Sequence, residues 1–406
     1  VQQLSGGASE VPHGWDSRMR DWSGLMHYDA TKNAALSLPN LVIPVNSSVV
    51  SSKGLPGEPQ YTKVENYSIL TVVSTPPPTD SFRPAPYGNG TKTTSWRESQ
   101  INWATLNSLP RASVSSTMPS LSDITSRMLK PWIYLVPSSS DTLVHGANMT
   151  YSSTGYGMEL SFVTGDAGLM LNLDFSRAET RDLLLGTIQA AIDELPILQG
   201  GRNWYTDGGH NSGRWTPIIV AAGVLGGEFA TYNKPQYFQE GQETIFLTPE
   251  HWTTPMGWEQ WCNSHLVRRS GNCGLVFNFW ESDTSDPTGN KVGDAWIRLG
   301  YETWKANNTW SGENNAYIDI ASASLTGPTM TAHAMGLRSA INHEAMFLYA
   351  DRVAATGWGH AIWYNPTHNF HKAFYNAFKN IGGPNPNAPS VSISASPTTV
   401  LSGNPS

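Results

Sequence analysis

The residues best suited to carry out chemistry lie in one glycine-rich stretch, from Gly200 to Trp215, which reads GGRNWYTDGGHNSGRW. Glycines at 200, 201, 208 and 209 allow backbone angles that other residues avoid, and they let a ligand approach closely. Such a loop can direct several polar side chains toward one point. Because it lies between two segments with helical character, we expect it to form a functional site presented by a helical scaffold.

The polar residues of this loop suit cleavage of a uronic-acid polymer by β-elimination. That reaction needs a group that neutralises the carboxylate, a base for the C5 proton and an acid for the departing oxygen. Arg214 or Asn211 suits the first task, and His210 suits the second. Tyr205 or Tyr349 suits the third. Arginine binds carboxylates in a bidentate manner and histidine titrates near neutrality, so the residue types match the chemistry.

The neighbouring aromatic and acidic residues are expected to contact the substrate. Trp204, Asp207 and Trp215 are the predicted substrate-binding residues, because the apolar face of a sugar ring stacks on aromatic side chains. Structural roles are the alternative. His210 can hold the tight loop closed through backbone hydrogen bonds, and Arg214 can form an ion pair with Asp207.

A second group of candidates follows in INHEAMFLY, where His343 and Tyr349 are predicted to complete the site or to pack in the core. Glycoside hydrolysis is the nearest alternative reaction, since it requires two carboxyl groups at a defined separation. Asp207 paired with Glu344, or with Glu259, would supply them.

Three histidines near the C-terminal end, His360, His368 and His371, raise the question of a metal site. His368 and His371 have the i, i+3 spacing at which two imidazoles can share a metal, but no HExxH motif accompanies them. A polar helix face explains them more simply. The sequence therefore predicts neither a metal nor a cofactor.

Composition narrows the range of partners. Only 14% of the 406 residues are charged, aromatic residues reach 11%, and the net charge is −7 without a basic run. These values argue against nucleic acid as a partner and favour a secreted or cell-surface protein with polar, weakly ionic ligands. No apolar run has the length of a membrane span. Val1 is not preceded by a visible signal peptide, so we expect a processed form if the protein is exported.

The cysteines leave two possibilities open. Cys262 and Cys273 are the two cysteines of the chain, and they would close a short disulfide loop in an oxidising compartment. Two buried thiols are the alternative.

Helical patterns dominate after an irregular beginning. Residues 1–119 are predicted to form an irregular N-terminal arm with strands near 41–45 and 67–73. Helices are expected near 121–128, over 158–175, after a capping box at Ser176 and Glu179, and from Pro217 onward. Further helices are predicted over 294–310, 329–357 and 368–383. Residues 120–382 are predicted to form the helical domain, and residues 383–406 resemble a linker and the truncated start of an immunoglobulin-like module.

The DGGHNSGRW pattern, followed by a helix of small residues, resembles a group of secreted bacterial proteins built as (α/α) toroids, similar to alginate and glucuronan lyases. The resemblance covers about residues 150 to 380. It implies a mainly α fold, either an (α/α) toroid or an incomplete helical barrel, with the partly β arm and the β-sandwich module appended. It also implies an extracellular protein that acts on a polysaccharide.

The sequence thus predicts a polysaccharide lyase that acts on an acidic glycan. The candidate catalytic residues are His210, Tyr205, Arg214, Asn211, His343 and Tyr349. A glycoside hydrolase on the same scaffold is one alternative. A noncatalytic surface protein that binds glycan or associates with itself is the other, because exposed aromatic residues serve interfaces as well as sugar clefts.

Overall fold

The computed structural model of this chain describes residues 2–3, 42–54, 64–86, 91–130, 157–200, 212–238, 245–247, 279–281, 324–344, 346–347, 350 and 369–381. These residues are mainly helical, as the sequence predicts. The predicted helix at 294–310, both cysteines and the predicted module at 383–406 lie outside the described residues. Among the described helices, none is long and apolar enough to span a membrane.

The N-terminal arm contains a small sheet. Its strands lie side by side in the order β1 (Gln2–Gln3), β2 (Ser47–Gly54) and β3 (Val64–Val72). Strands β1 and β2 are parallel, and β2 and β3 are antiparallel. The strand predicted at 67–73 is confirmed by β3. The one predicted at 41–45 is wrong, because Asn46 adopts a φ of 65° in a turn and the strand begins after it. A second, parallel pair joins β4 (Ile245–Leu247) and β5 (Phe279–Glu281).

Helices α1 (Leu121–Met128), α2 (Gly157–Met170) and α3 (Arg177–Gln199) follow the arm. Ser120 caps α1 through its side chain, and Ile124 and Met128 are buried on one face. The predicted capping box begins α3: the Glu179 N–H donates to Ser176 Oγ at 3.3 Å, and the Ser176 N–H donates to Glu179 Oε2 at 2.7 Å. The hydrogen bonds from Ser176 lower the pKa of the Glu179 carboxyl.

Helix α4 (Ser212–Val224) begins five residues before Pro217, where the sequence predicts its start. Pro217 therefore lies inside the helix and cannot donate to the carbonyl of Gly213 four residues earlier. The Thr164 hydroxyl of α2 replaces that donor, since its Oγ1 lies 2.7 Å from the Gly213 oxygen and 2.9 Å from the Leu160 oxygen. This contact across the helices explains why a proline is tolerated inside α4.

The contact between Thr164 and the Gly213 carbonyl predicts that Thr164→Val destabilises the protein more when Pro217 is present than when it is replaced by alanine. Thr164→Val leaves the Gly213 carbonyl without its donor and should lower the free energy of unfolding by about 1–3 kcal/mol. Pro217→Ala restores a backbone N–H for the same carbonyl, so Thr164→Val should have a smaller effect in that background. Urea denaturation of the four proteins in a double-mutant cycle measures the difference. Equal effects in both backgrounds would contradict the assigned role of Thr164.

The long helix predicted over 329–357 is interrupted in the structure. After α5 (Gly227–Tyr232), residues 324–334 are helical and are called α6, and a separate turn of helix, α7, spans Arg338–Ile341. Gly336, with a φ of 69°, ends α6, and Asn342, with a φ of 55°, ends α7. Both residue types favour the left-handed conformation that terminates helices, so the interruption has a local cause. Helix α8 (Asn369–Phe378) confirms the short C-terminal helix.

Helix α2 is the centre of the described core, and every residue from 160 to 173 is buried. Near its start, Ser161 Oγ donates to the Ser324 carbonyl, and the hydroxyls of Ser324 and Ser212 are hydrogen-bonded at 3.2 Å. Two turns later, a Cβ on Gly168 would lie 2.4 Å from Thr331 Oγ1. Residues near the start of α2 contact residues near the start of α6, and later residues of α2 contact later residues of α6. The two helices therefore run parallel. A Cβ on Gly213 would meet Ser161, and one on Gly168 would meet Thr216, so α4 runs in the same direction.

The N-terminal arm covers the carboxyl ends of these three helices. The Asn102 N–H donates to the Val224 carbonyl of α4 at 2.8 Å. The Asn107 side-chain amide donates to the Ala334 carbonyl of α6 at 3.2 Å, and its N–H donates to Asn172 Oδ1 just after α2 at 3.0 Å. Carbonyls at helix ends lack intrahelical partners. The arm therefore shares the core of the helices and caps their ends.

Candidate functional site

One open pocket collects titratable side chains at the carboxyl end of α6. It has a volume of about 450 Å³. Its lining residues are His333, Gly336, Arg338, Ser339, Asn342, His343 and Glu344. We call it the His333–Glu344 pocket. Imidazole, guanidinium and carboxylate groups in one concave site make it the leading candidate for binding and chemistry.

The interruptions of the helical chain build this pocket. His333 lies in the last turn of α6, and the Gly336 N–H donates to the His333 carbonyl at 3.0 Å. The short helix α7 then carries Arg338, and the Asn342 N–H closes it by donating to the Arg338 carbonyl at 3.0 Å. The left-handed Asn342 turns the chain, so His343 returns toward α6. A continuous helix would have separated these side chains along its axis.

Arg338 and Glu344 form the charged pair of the pocket. Arg338 Nε donates to Glu344 Oε2 at 2.9 Å, and Nη2 donates to Oε1, which makes the pair bidentate. The guanidinium carbon also lies 4.7 Å from the ring centroid of Phe347. The side chains of Arg338 and Glu344 remain 37% and 51% exposed. Both side chains therefore remain accessible to solvent, where a ligand carboxylate can compete with Glu344 for the guanidinium.

The structure places some predicted site residues in this pocket. His343, with its neighbours Asn342 and Glu344, lines it. The Tyr349 side chain lies outside the described residues, as do the predicted loop residues, which are Trp204, Tyr205, Asp207, His210 and Asn211. Glu259, the other carboxylate proposed for hydrolysis, lies outside them as well.

Arg214 lies elsewhere on the molecule. It is half-buried in the first turn of α4, at the amino end of the parallel helices. The pocket is at their carboxyl end, where a Cβ on Gly223 would contact Met335. Nine residues of helix separate Arg214 from Gly223, or about 14 Å at 1.5 Å per residue. The structure therefore does not bring Arg214 together with His343.

Trp215 is a core residue and not a sugar-contacting one. Its side chain is fully buried, and its Nε1–H donates to Asn233 Oδ1 at 2.8 Å. The ring stacks on Phe238 with centroids 5.1 Å apart and an interplanar angle of 8°. The substrate-binding prediction for Trp215 is corrected because helix α4 begins before it and turns its side chain inward.

Sequence reasoning missed His333 and Arg338. Both lie within the pattern interpreted as one long amphipathic helix, in which they point in different directions. The signal that could have found them is Gly336, since a glycine near the end of a helical turn favours a C-cap. A helix end at that position brings the polar residues on either side of it to one end of the helix.

A buried pair joins α8 to α2. His371 Nε2 and Asp166 Oδ1 are hydrogen-bonded at 3.0 Å, and burial raises the pKa of the Asp166 carboxyl although the bond to His371 opposes this shift. His371 is 3% exposed, and among the described residues its Nδ1 has no hydrogen-bond partner. The ring fits between Gly165 and Gly327, where any Cβ would meet it. This position indicates a structural role in helix packing.

A second pocket, of about 340 Å³, lies between the arm and α3. At its floor Arg83 pairs with Asp193, and Gln189 Nε2 donates to Asp193 Oδ1 at 3.1 Å. Burial raises the pKa of the Asp193 carboxyl to about 6, although Arg83 acts in the opposite direction. Arg181 at the rim is held in a bidentate pair by Glu98. Each of these arginine pairs joins a residue of the arm to a residue of α3, which indicates that this pocket holds the arm against the helix.

The described residues contain no group of three or more histidine, cysteine, aspartate or glutamate side chains that could hold a metal ion. Comparison of the chain with protein-family models, curated proteins and solved structures found no match.

Proposed function

We propose that this protein is an extracellular polysaccharide-active enzyme, and specifically a lyase that cleaves an acidic, uronic-acid glycan by β-elimination. One observation carries the proposal: the His333–Glu344 pocket combines the guanidinium of Arg338 with the imidazole of His343 in a site open to solvent. A carboxylate-binding group and a group that titrates near neutrality are the two requirements of the reaction's first step.

Arg338 is the proposed receptor for the uronate carboxylate. In the free protein, Glu344 accepts hydrogen bonds from Nε and Nη2 of Arg338. A substrate carboxylate presents the same two oxygens, so it can take the place of Glu344 on the guanidinium fork. Binding the carboxylate there also stabilises the negative charge that develops when the C5 proton is removed.

His343 is the proposed base in this arrangement. It lies half-buried beside Glu344, and the Met346 N–H donates to its carbonyl at 3.1 Å, which fixes the backbone that carries it. Imidazole removes a proton efficiently near neutral pH because its ordinary pKa lies close to that range. The loop residues from Trp204 to Asn211 lie outside the described residues, so their contact with sugar stays a prediction.

The proposed architecture is an incomplete ring of helical hairpins. The parallel helices α2, α4 and α6, with α3 connecting α2 to α4, support this proposal, since consecutive helical hairpins repeat one direction in one layer. The resemblance to alginate and glucuronan lyases belongs to the same proposal.

Incubation with a panel of uronic-acid polymers tests the reaction. A lyase should release products with the ultraviolet absorbance of an unsaturated uronate. New reducing ends without this absorbance would indicate that the protein is a hydrolase and not a lyase. No cleavage of any acidic or neutral polymer, together with ordered self-association, would favour the noncatalytic alternative.

Arg338→Lys should lower kcat/KM for the cleaved polymer by about tenfold or more, because lysine keeps the charge but loses the bidentate fork. Initial rates over a range of polymer concentrations measure the change. Esterification of the substrate carboxylates should abolish the difference between the variant and the unchanged protein.

Arg111→Lys is the matched control for this substitution. Arg111 also pairs with a carboxylate, Glu179, and its guanidinium carbon lies 4.7 Å from the ring centroid of Phe175. It lies outside the pocket lining. An equal loss in both variants would indicate a general effect on stability and would contradict the role proposed for Arg338.

A further inference from the structure

The turn that follows α5 presents two tyrosines and a lysine that the proposed reaction does not use. The buried Trp215 side chain anchors this turn at two points, because its Nε1–H donates to Asn233 Oδ1 at 2.8 Å and its ring stacks on Phe238. A turn held at both ends presents the side chains between the two anchors in fixed positions. The three side chains, all half-buried, are those of Tyr232, Lys234 and Tyr237.

The lysine places this turn beside the His333–Glu344 pocket. Lys234 Nζ donates a hydrogen bond to the Ala340 carbonyl of α7. Ala340 directly follows Ser339, which lines the pocket. Consecutive Cα atoms are about 3.8 Å apart, so the ammonium lies within about 10 Å of the Ser339 Cα. A polymer that occupies the pocket with one sugar therefore has neighbouring sugars within reach of the turn.

The polar atoms of the turn are available to a ligand. An ammonium has three donors, and the Ala340 carbonyl takes one of them. Within the described part of the chain, no carboxylate is paired with Lys234. The rings of Tyr232 and Tyr237 pack with centroids 5.0 Å apart and an interplanar angle of 46°. Over the same described residues, neither hydroxyl makes a hydrogen bond, and both are reached by solvent.

These groups match the chemistry of an acidic sugar. The ammonium suits a carboxylate, and phenol hydroxyls suit the hydroxyls of a sugar ring. Tyrosine also offers a rigid surface that is apolar on the ring and polar at its tip. Capping of α7 is the structural alternative, since a lysine near the end of a helix can bind its last carbonyls. That role accounts for one donor of Lys234 and for neither tyrosine.

We propose that Tyr232, Lys234 and Tyr237 form a second subsite, which binds a further uronate residue of the polymer beyond the one held by Arg338. Lys234 binds the carboxylate of this residue, and the tyrosine hydroxyls bind its ring hydroxyls. The inference rests on the proposed function, because it assigns another part of the same substrate. The subsite does not touch the reacting atoms, so it contributes to KM and not to kcat.

Oligouronates of increasing length test the subsite. KM of the unchanged protein should fall with length, because only longer oligomers reach the turn. Lys234→Met keeps the apolar stem and removes the charge, so it should raise KM for long oligomers by about five- to tenfold with little change in kcat. The shortest oligomer that is cleaved should keep its KM. Lys234→Arg should restore most of the affinity for long oligomers.

Tyr237→Phe tests the hydroxyl with little disturbance of the fold, since the ring that packs on Tyr232 remains. It should raise KM for long oligomers by about threefold. Lys379→Met is the matched control for the lysine. Lys379 also lies beside a tyrosine, with Nζ 5.5 Å from the ring centroid of Tyr375, but it is on α8 and outside the pocket lining. It should leave KM unchanged at every length.

The outcomes separate this inference from the function on which it rests. A KM that is unchanged in Lys234→Met, or that rises equally at every length, would overturn the subsite while leaving the lyase in place. A loss of kcat together with a lower temperature of thermal unfolding would instead indicate that Lys234 only caps α7. An equal effect in Lys379→Met would also overturn the subsite. Absence of any unsaturated product from the unchanged protein would overturn the proposed function and this inference together.

Discussion

Replacement of Trp215 by alanine is expected to lower the free energy of unfolding by about 3–5 kcal/mol. The side chain is fully buried on α4, stacks on Phe238 and donates to Asn233. Its removal leaves a cavity and a buried amide oxygen without its donor, and both effects are destabilising. Urea denaturation followed by circular dichroism measures the loss.

Trp215→Phe separates the two contributions. Phenylalanine keeps the stacking on Phe238 but lacks the N–H that Asn233 Oδ1 accepts, so we expect a loss of about 1–3 kcal/mol. Leu70→Ala is the control, since Leu70 is 58% exposed and its truncation should change stability by about 0.5 kcal/mol or less. A stable Trp215→Ala protein that fails to bind polysaccharide would instead support the sugar-contacting role predicted from the sequence.

The Asp193 carboxyl is expected to make stability depend on pH in the weakly acidic range, between pH 3.8 and about 6. Its pKa in the folded protein is about 6, above the ordinary value of 3.8. The folded state therefore binds this proton more tightly than the unfolded state does. The contribution is fully present below pH 3.8 and is lost as the pH rises through 6.

Comparison with Asp193→Asn isolates this contribution. A difference of about 2 pKa units corresponds to about 3 kcal/mol. The stability of the unchanged protein relative to Asp193→Asn should therefore increase by about that amount as the pH falls from 7.5 to 3.8. Chemical denaturation at a series of pH values measures it.

Arg83→Met provides a directional control for the same site. Arg83 lowers the pKa of Asp193 through its charge and hydrogen bond, so its removal should move the pH window upward. A difference curve that is flat between pH 4 and 7.5 would show that burial does not govern this carboxyl. A window that moves downward in Arg83→Met would contradict the assigned ion pair.

Local sequence signals predicted much of the secondary structure. Ser120 and the Ser176–Glu179 capping box mark helix starts because their side chains satisfy N–H groups within three residues. The apolar run after Gly157 indicated a buried helix, and α2 is buried on all sides. These predictions hold since their causes lie within one or two turns of chain.

Predictions that depended on distant partners were less accurate. Pro217 resembled a helix start, but α4 begins earlier because Thr164 on another helix satisfies the Gly213 carbonyl. Trp215 was predicted to contact sugar, and its actual partners are Phe238 and Asn233. None of these partners, Thr164, Phe238 and Asn233, can be identified from the residues around α4 alone.

The sequence by itself determined the mainly helical character of this chain, several helix boundaries and the choice of His343 as a functional candidate. Only the tertiary structure decided that His333 and Arg338 share its pocket and that Arg214 lies at the opposite end of the helices. The physical reason is that caps and periodicity act over a few residues. Convergence at a site depends instead on helix direction and on where Gly336 and Asn342 turn the chain.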